Sequence, residues 1–485
     1  MLLTSIRTFH WSVFGCVTGV IFADWLFFNQ PAGLNVFVFH IFLLGFLLLQ
    51  IPLKNMKRHA WLILCLLAGL LFSLMTDPGP LRFWLTWLGL ITFVFTARQS
   101  WSSNTIEWLA RWFHFAFALL TRIPLDLVLI SRWFMTGHGS NPFEAIARNI
   151  IKWLLPVAGA CLFILLFTMA NPVLSYWFQE LERSITNFLD ALSVTLPRFI
   201  QWAFVATAFW TFVRIRYKRR HFPAIGAGHS LPDSLLHRCL VLFNLIFAIQ
   251  TILDFIYLWG GAALPAEMSY AEYAHRGAYP LIGTALLAGG FVLATFRAGA
   301  PPAGHVRKLV YVWLAQNILL IINSLWRLHL YVEVYSLTTL RLAAAIWMLL
   351  VSAGIALVMW RIYAGKSNAW LLNANFLTLV SVLYVCCFLN FDRTISWYNV
   401  QNCKEISGKS VVLDIHYLER LGIESIPALI WFHHNTKGAP KATEAHLAAN
   451  RLMHNLNQDS KNWKAWTLRR HILRKELAAG KRKKI

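Results

Sequence analysis

Acidic residues are scarce in this chain. Only 21 Asp and Glu stand against 44 Lys and Arg, and charged residues of both signs make up 13% of the 485 positions. That is too little charge to cover the surface of a soluble protein of this length. Cysteine is also sparse, at seven, and none forms a CxxC pair, which excludes a disulfide framework or a zinc ribbon. Most of these cysteines sit in apolar stretches and read as packing residues. The chain has no P-loop, dinucleotide fingerprint, HExxH or GxSxG, so the chemistries those motifs carry are excluded and no cofactor or metal site is expected. No internal repeat is visible, which disfavours the repeat-built transporter folds.

What the chain has in excess is apolar sequence, at 58% of residues. Runs of about 20 apolar residues, the length that crosses a hydrocarbon core, recur near 9–28, 34–53, 60–76, 81–97, 150–170, 198–215, 235–259, 279–297, 309–327, 341–361 and 370–389. The fold class expected is all-α: a polytopic α-helical integral membrane protein with about eleven spans and a small helical soluble C-terminal segment. The first run follows Arg7, is too long for a signal-peptide core and lacks a small-residue cleavage site, so it reads as a retained helix. The net charge of +23 would suggest nucleic acid in a soluble protein. In a membrane protein it reflects basic loops, so the bilayer is the expected partner and nucleic acid is not.

Lys54, Lys57 and Arg58, the cluster from Arg214 to Arg220, Arg307 with Lys308, and Arg361 with Lys366 alternate to one side. The positive-inside rule places that side, and the N-terminus, in the cytoplasm of a bacterial inner membrane. Residues 1–100 then form a four-span region, 101–149 a cytoplasmic interfacial segment, 150–389 a seven-span core and 390–485 a basic helical tail outside the membrane. In the interfacial segment, residues 106–122 mix Trp108, Trp112, Phe113 and Phe117 with Arg111, His114 and Arg122, the mark of a helix lying in the membrane surface. A second amphipathic helix, on the outer side, is expected from Trp177 to Leu192. The tail holds eight acids and seventeen Lys or Arg. Its expected helices are one capped by Asp414 and ended by Gly422, one over 441–457, and one over 460–479 stopped by Gly480. Trp463, Trp466 and the Arg469, Arg470, Arg474, Lys475 cluster suit an anionic lipid surface, or simply a solvated helix.

The polar chemistry centres on 244–297, where a long apolar run carrying Asn244, Gln250 and Asp254 breaks at Gly260-Gly261. Ser269 and Glu272 make a capping box, and Glu272 with Arg276 an i,i+4 ion pair, leaving Glu267, Tyr270, Tyr273 and His275 over. Asp254 lies a turn inside its span. An intramembrane carboxylate is either a functional group or half of a helix-tying ion pair, here with Arg327 or Arg341. Asn323, Arg327, Tyr331 and Tyr335 repeat at i,i+4, His329 and Glu333 form a second such pair, and Gln316 and Asn323 read as polar glue between helices. Asp24, near the end of its run, reads as a snorkelling or capping acid. The candidate outer cluster is therefore Asp254, Glu267, Glu272, His275, Arg276, Arg327, His329, Glu333 and Arg341; no catalytic residue is assigned.

Three long passages are similar to a bacterial membrane family. They are LDFIYLWGG with the following MSYAEYAHRGAYPLIGTALLAGGFVL, NSLWRLHLYVEVYSLTTLRLAAAIWMLLV at 323–351, and NFDRTISWYNV with LDIHYLERLGIESIPAL. The family is catalogued as domain of unknown function 4153 or 4173, and the resemblance runs from about 150 to 430. It implies a multi-pass bacterial inner-membrane protein and transfers no activity. The expected function is non-enzymatic binding of a ligand or partner, an anionic lipid or an envelope component, in a sensing or accessory role. The alternatives are a transferase on a lipid-linked substrate, with Glu272 or Glu333 as general base, and a secondary transporter.

Overall fold

The computed structural model describes residues 2–51, 54, 56–99, 101–134, 160, 176–177, 179–184, 195–215, 217, 233–259, 283, 287, 290–291, 304–408, 411–436, 440–459 and 461–482. All regular structure among them is helical, and seven helices are long and apolar enough to cross a membrane: Phe9–Phe27, Arg58–Thr76, Pro80–Arg98, Ser234–Tyr257, Gly304–Tyr335, Thr339–Tyr363 and Asn368–Cys386. The protein is a polytopic α-helical membrane protein. The expected spans 150–170 and 279–297 lie almost wholly outside the described residues. The outer helix from Trp177 to Leu192 is described only at 176–177 and 179–184, which are helical.

Two compact units divide the chain. The first holds Met1–Ser102, Ile106–Arg220 and Trp463–Thr467. Its helices are α1 (Leu2–Phe27), α2 (Leu34–Leu48), α3 (Arg58–Thr76), α4 (Pro80–Arg98), α5 (Thr105–Phe134) and α6 (Leu196–Arg214). The expected span 34–53 is only 15 residues of helix, or about 22 Å against a hydrocarbon core of about 30 Å. Its side chains Phe39, His40, Leu43 and Leu47 are buried in the core of the unit.

α6 runs antiparallel along α1. Phe9 meets Trp210 edge-on, Cys16 Sγ donates to Ala206 O (3.1 Å), and Asp24 takes Arg198 in two bonds of 2.6 Å. Asp24 is thus an interhelical anchor, also accepting from Trp202 Nε1 (2.9 Å), and neither snorkels nor caps. Close approach is possible because Gly15 and Gly19 face the ring of Phe209, which Phe39, Phe42 and Phe46 hold in place. A Cβ at Gly19 would stand 2.6 Å from that ring. α6 falls outside the seven because Arg198, Gln201 and its tryptophans dilute its apolarity, yet it follows α1.

The interfacial segment is part of one 30-residue helix, α5. Several of its charges are paired inside the protein: Arg111 donates to Glu107 (2.6 Å) and lies over Trp108. Asp126, fully buried, holds Arg214 (2.6 Å), Arg122 (3.2 Å) and Trp210 Nε1 (2.9 Å). Phe113, Phe117 and Leu120 point out. A helix with buried charge and exposed apolar side chains is suited to lipid surroundings.

The second unit holds His221–Asn462, Leu468–Ile485 and Ser103–Thr105. Its membrane helices are α7 (Asp233–Asp254), extended by a π-helical turn over Phe255–Trp259, α8 (Gly304–Tyr335), α9 (Thr339–Tyr363) and α10 (Asn368–Cys386). The tail follows as α11 (Phe391–Gln401), α12 (Lys404–Ser407), α13 (Ile415–Arg420), α14 (Ile426–Asn435), α15 (Pro440–Asp459) and α16 (Leu468–Arg482). Thr338, Ser367, Asn390 and Asp414 each cap a helix by accepting a backbone N–H from the third residue beyond. Gly422, at a φ of 80°, follows α13. α16 begins eight residues later than expected and continues through Gly480. The tail has its own core, in which Val400, Leu413, Leu418, Ile426, Leu429, Phe432, Ala448 and Leu452 are buried.

The tail is fastened to the α8–α9 turn. Asn399 accepts from Leu337 N (2.7 Å) and donates to Leu337 O (2.9 Å), and Tyr417 OH accepts from Thr339 N (2.9 Å). The turn contains Ser336 at a φ of 67°, a left-handed conformation that side chains disfavour and that these contacts stabilise.

Two outcomes are expected. Gly19→Leu drives a side chain into a fixed aromatic cluster and costs about 1–3 kcal/mol; a melting temperature in detergent equal to that of the parent protein would refute the packing. In the tail, Arg451 holds the Glu419 carboxyl below its usual range through bonds of 2.7 and 3.0 Å. A depressed folded-state pKa contributes stability above the unfolded value, lost as pH falls through the folded value. Acid titration of the tail's helical signal should therefore show a loss below the ordinary glutamate range that Glu419→Gln makes shallower.

Candidate functional site

α7 and α8 pack along each other, and polar groups form rungs between them. Gln316 Nε2 donates to Asn244 O (3.3 Å), and Asn244 Nδ2 donates to Leu309 O (3.1 Å). These rungs are the interhelical glue expected of amides in lipid. Two to three turns further along, Asp254 closes α7 fully buried. Its Oδ1 accepts from Gln250 Nε2 (2.9 Å) and from Arg327 Nη2, and its Oδ2 accepts from Asn323 Nδ2 (3.0 Å). Gln250 with Asp254 and Asn323 with Arg327 are each i,i+4, so two turns of each helix face one another. Arg327 and Asn323 are both almost fully buried.

Beyond Asp254 the backbone widens into the π-helical turn, a local irregularity often found at functional positions. It carries Trp259 back over α8, where its indole N–H donates to Asn323 Oδ1 (3.1 Å). Trp259 stacks on Trp326 (5.2 Å between centroids, 12° between planes), and Trp326 lies against His329 at 5.4 Å. All three rings are substantially exposed. This aromatic ladder is absent from the sequence-based site. Its only signal was a tryptophan beside Arg327 and another five residues after Asp254.

α8 is 32 residues long, about 48 Å, so it overshoots a hydrocarbon core of about 30 Å. The overshoot carries the exposed His329–Glu333 pair, 3.9 Å apart. Glu333, with Val332, Ser336, Tyr398, Asn399 and Asn402, also lines a small cavity of about 10 Å³, room for one water. Arg341 is occupied elsewhere: it donates to Tyr335 O (2.6 Å) and Ser336 O and lies over the Tyr331 ring, capping the carbonyl end of α8. The ion pair of Asp254 is therefore with Arg327. Glu267, Glu272, His275 and Arg276 lie outside the described residues.

Chemically, the two parts differ. Both oxygens of Asp254 accept from donors, Gln250 on its own helix and Asn323 and Arg327 on α8, an arrangement that braces the two helices. The ladder and the His329–Glu333 pair are accessible.

The class is thus a multi-span helical membrane protein with a buried acid–arginine lock beneath an exposed aromatic and charged end. The family model described as Domain of unknown function (DUF4153) matches residues 62–431, and the chain belongs to that family. The match starts well before residue 150, taking in α3 to α6 as well as the lock. No curated protein and no solved structure matches the chain.

Removing one partner of a buried ion pair strands the other and costs about 3–5 kcal/mol, whereas replacing both with apolar residues costs far less. Arg327→Met should therefore destabilise the purified protein more than the double variant Asp254→Leu with Arg327→Met. Additive losses in thermal unfolding would show that the two residues do not act as a pair.

Proposed function

We propose that this is a protein of the bacterial cytoplasmic membrane that binds a ligand or envelope partner at its extracytoplasmic end without turning over a substrate. The observation that carries this reading is the division of labour around Asp254. The buried carboxylate is held by Arg327, Asn323 and Gln250, while Trp259, Trp326, His329 and Glu333 stand exposed at the same helix end. A rigid base with an accessible aromatic and charged face is what recognition needs.

Orientation is supported by charge. Arg307 and Lys308 lie at the opposite end of α8, and Arg361 and Lys366 at the opposite end of α9, the pattern of cytoplasmic loops. The tail shares the end of Glu333, since it holds the α8–α9 turn, and is extracytoplasmic in this reading. The His329–Glu333 pair is also what a transferase would use for proton transfer, which makes that the competing reading.

Single cysteines at His329, Glu333 and Lys475 should react with an impermeant maleimide in intact spheroplasts, and one at Lys366 only after permeabilisation. The reverse pattern sinks the orientation. A photocrosslinker at 329 should give one reproducible adduct that a crosslinker at Leu319, on the lipid-facing side, does not. Identical products at both positions would leave no recognition surface.

A further inference from the structure

The α9–α10 hairpin is close-packed at Gly354, where a Cβ would stand 2.9 Å from Asn375 Oδ1. From there the helices part toward the end that carries the tail. The gap is a groove of about 380 Å³ lined by Leu349, Leu350 and Ala353 on α9 and by Val382, Val385 and Leu389 at and beyond the end of α10. Both helices are apolar enough to span a membrane, so the groove opens onto hydrocarbon. Several lining side chains, Leu349, Val385 and Leu389 among them, are exposed.

The groove ends in positive charge. The carbonyl of Leu389, its last lining residue, accepts from Arg469 Nη2 (2.8 Å) at the start of α16. Arg470 is next in sequence and reaches Asp459 (3.3 Å), and Arg393, four residues past Leu389, reaches Glu476 (2.9 Å). With Arg474 and Lys475, five cationic side chains stand in these segments against Asp392, Asp459 and Glu476.

An apolar slot in the hydrocarbon layer, closed at the headgroup level by clustered arginines, matches an amphiphile with an acyl chain and an anionic head. We infer that the α9–α10 groove and the arginines at its mouth bind one anionic phospholipid. One acyl chain lies between Ala353 and Val382, and the phosphate lies over Arg469 and Arg470. The site shares no residue with the Asp254–Arg327 lock, so either can fail without the other.

The test uses the full-length protein, delipidated and reconstituted with equal amounts of phosphatidylglycerol and phosphatidylcholine of matched chains, then examined by native mass spectrometry. One phosphatidylglycerol should be retained in preference. Arg469→Glu should lower that preference about fivefold or more, the effect of a single basic group at an anionic surface. Ala353→Trp, which fills the slot, should lower retention of both lipids; Leu350→Phe serves if the tryptophan variant does not fold. Equal retention of the two lipids by the parent protein overturns the site, as does retention unchanged by the groove variants. Displacement of the lipid by glycerol phosphate as effective as by phosphatidylglycerol would show that the groove holds no chain, and also overturns it.

Discussion

A bilayer supplies no water to a buried charge, and the arrangement of acids in this protein follows from that constraint. Asp24 is held by Arg198, Asp77 by Arg82, Glu107 by Arg111, Asp126 by Arg214 and Arg122, and Asp254 by Arg327. Every partner is arginine. Its planar fork can bond both carboxylate oxygens, as Arg198 does with Asp24, and it loses less on desolvation than an ammonium does. The scarcity of acids in the sequence is therefore coupled to their placement: in and beside the described membrane helices they occur chiefly where an arginine fixes one helix to another or one turn to the next.

The pairs explain which parts of the fold could be read from sequence. Helices such as Arg58–Thr76 and Asn368–Cys386 carry no acid and at most one Lys or Arg, and hydropathy finds them. α5 carries Glu107, Arg111, Arg122, Asp126 and Arg132, each a penalty in an average, although the fold pairs Glu107 with Arg111 and Asp126 with Arg122 and Arg214. Asp24 has its partner 174 residues away, and nothing local to Asp24 announces Arg198. Conversely, the i,i+4 pairs Gln250–Asp254 and Asn323–Arg327 are visible in the sequence because both members lie on one helix, and the lock they form was among the expected pairings. The close approach of α1 at Gly15 and Gly19 was not anticipated, because its contact, Phe209, lies on a helix far along the chain.

In the tail, cap chemistry is local, so Asp414 and the 441–457 helix were readable. The start of α16 was not, because residues 463–467 pack within the first unit. Trp463 lies against Trp25, Lys464 Nζ donates to Trp25 O (2.5 Å), and a Cβ on Gly33 would strike Ala465. The contact holds this segment as one 3-10 turn over Trp463–Ala465, tertiary context overriding its α propensity. The helix boundary was set by a partner more than 400 residues upstream.

The same reasoning places the accessible chemistry. A charge held inside the hydrocarbon layer must be paired, and Asp254 is, with Arg327. Groups able to meet another molecule must then lie where the helix leaves that layer, and α8 is long enough to leave it. At that end the chain spends one strained residue, Ser336, and clamps it from two directions, by Arg341 on its carbonyl and by Asn399 on the next peptide. The clamp ties the folded tail to the same helix whose polar face carries Asn323 and Arg327. A movement of the tail would therefore reach the lock through α8 itself, and the lock limits how far α8 can turn or slide against α7.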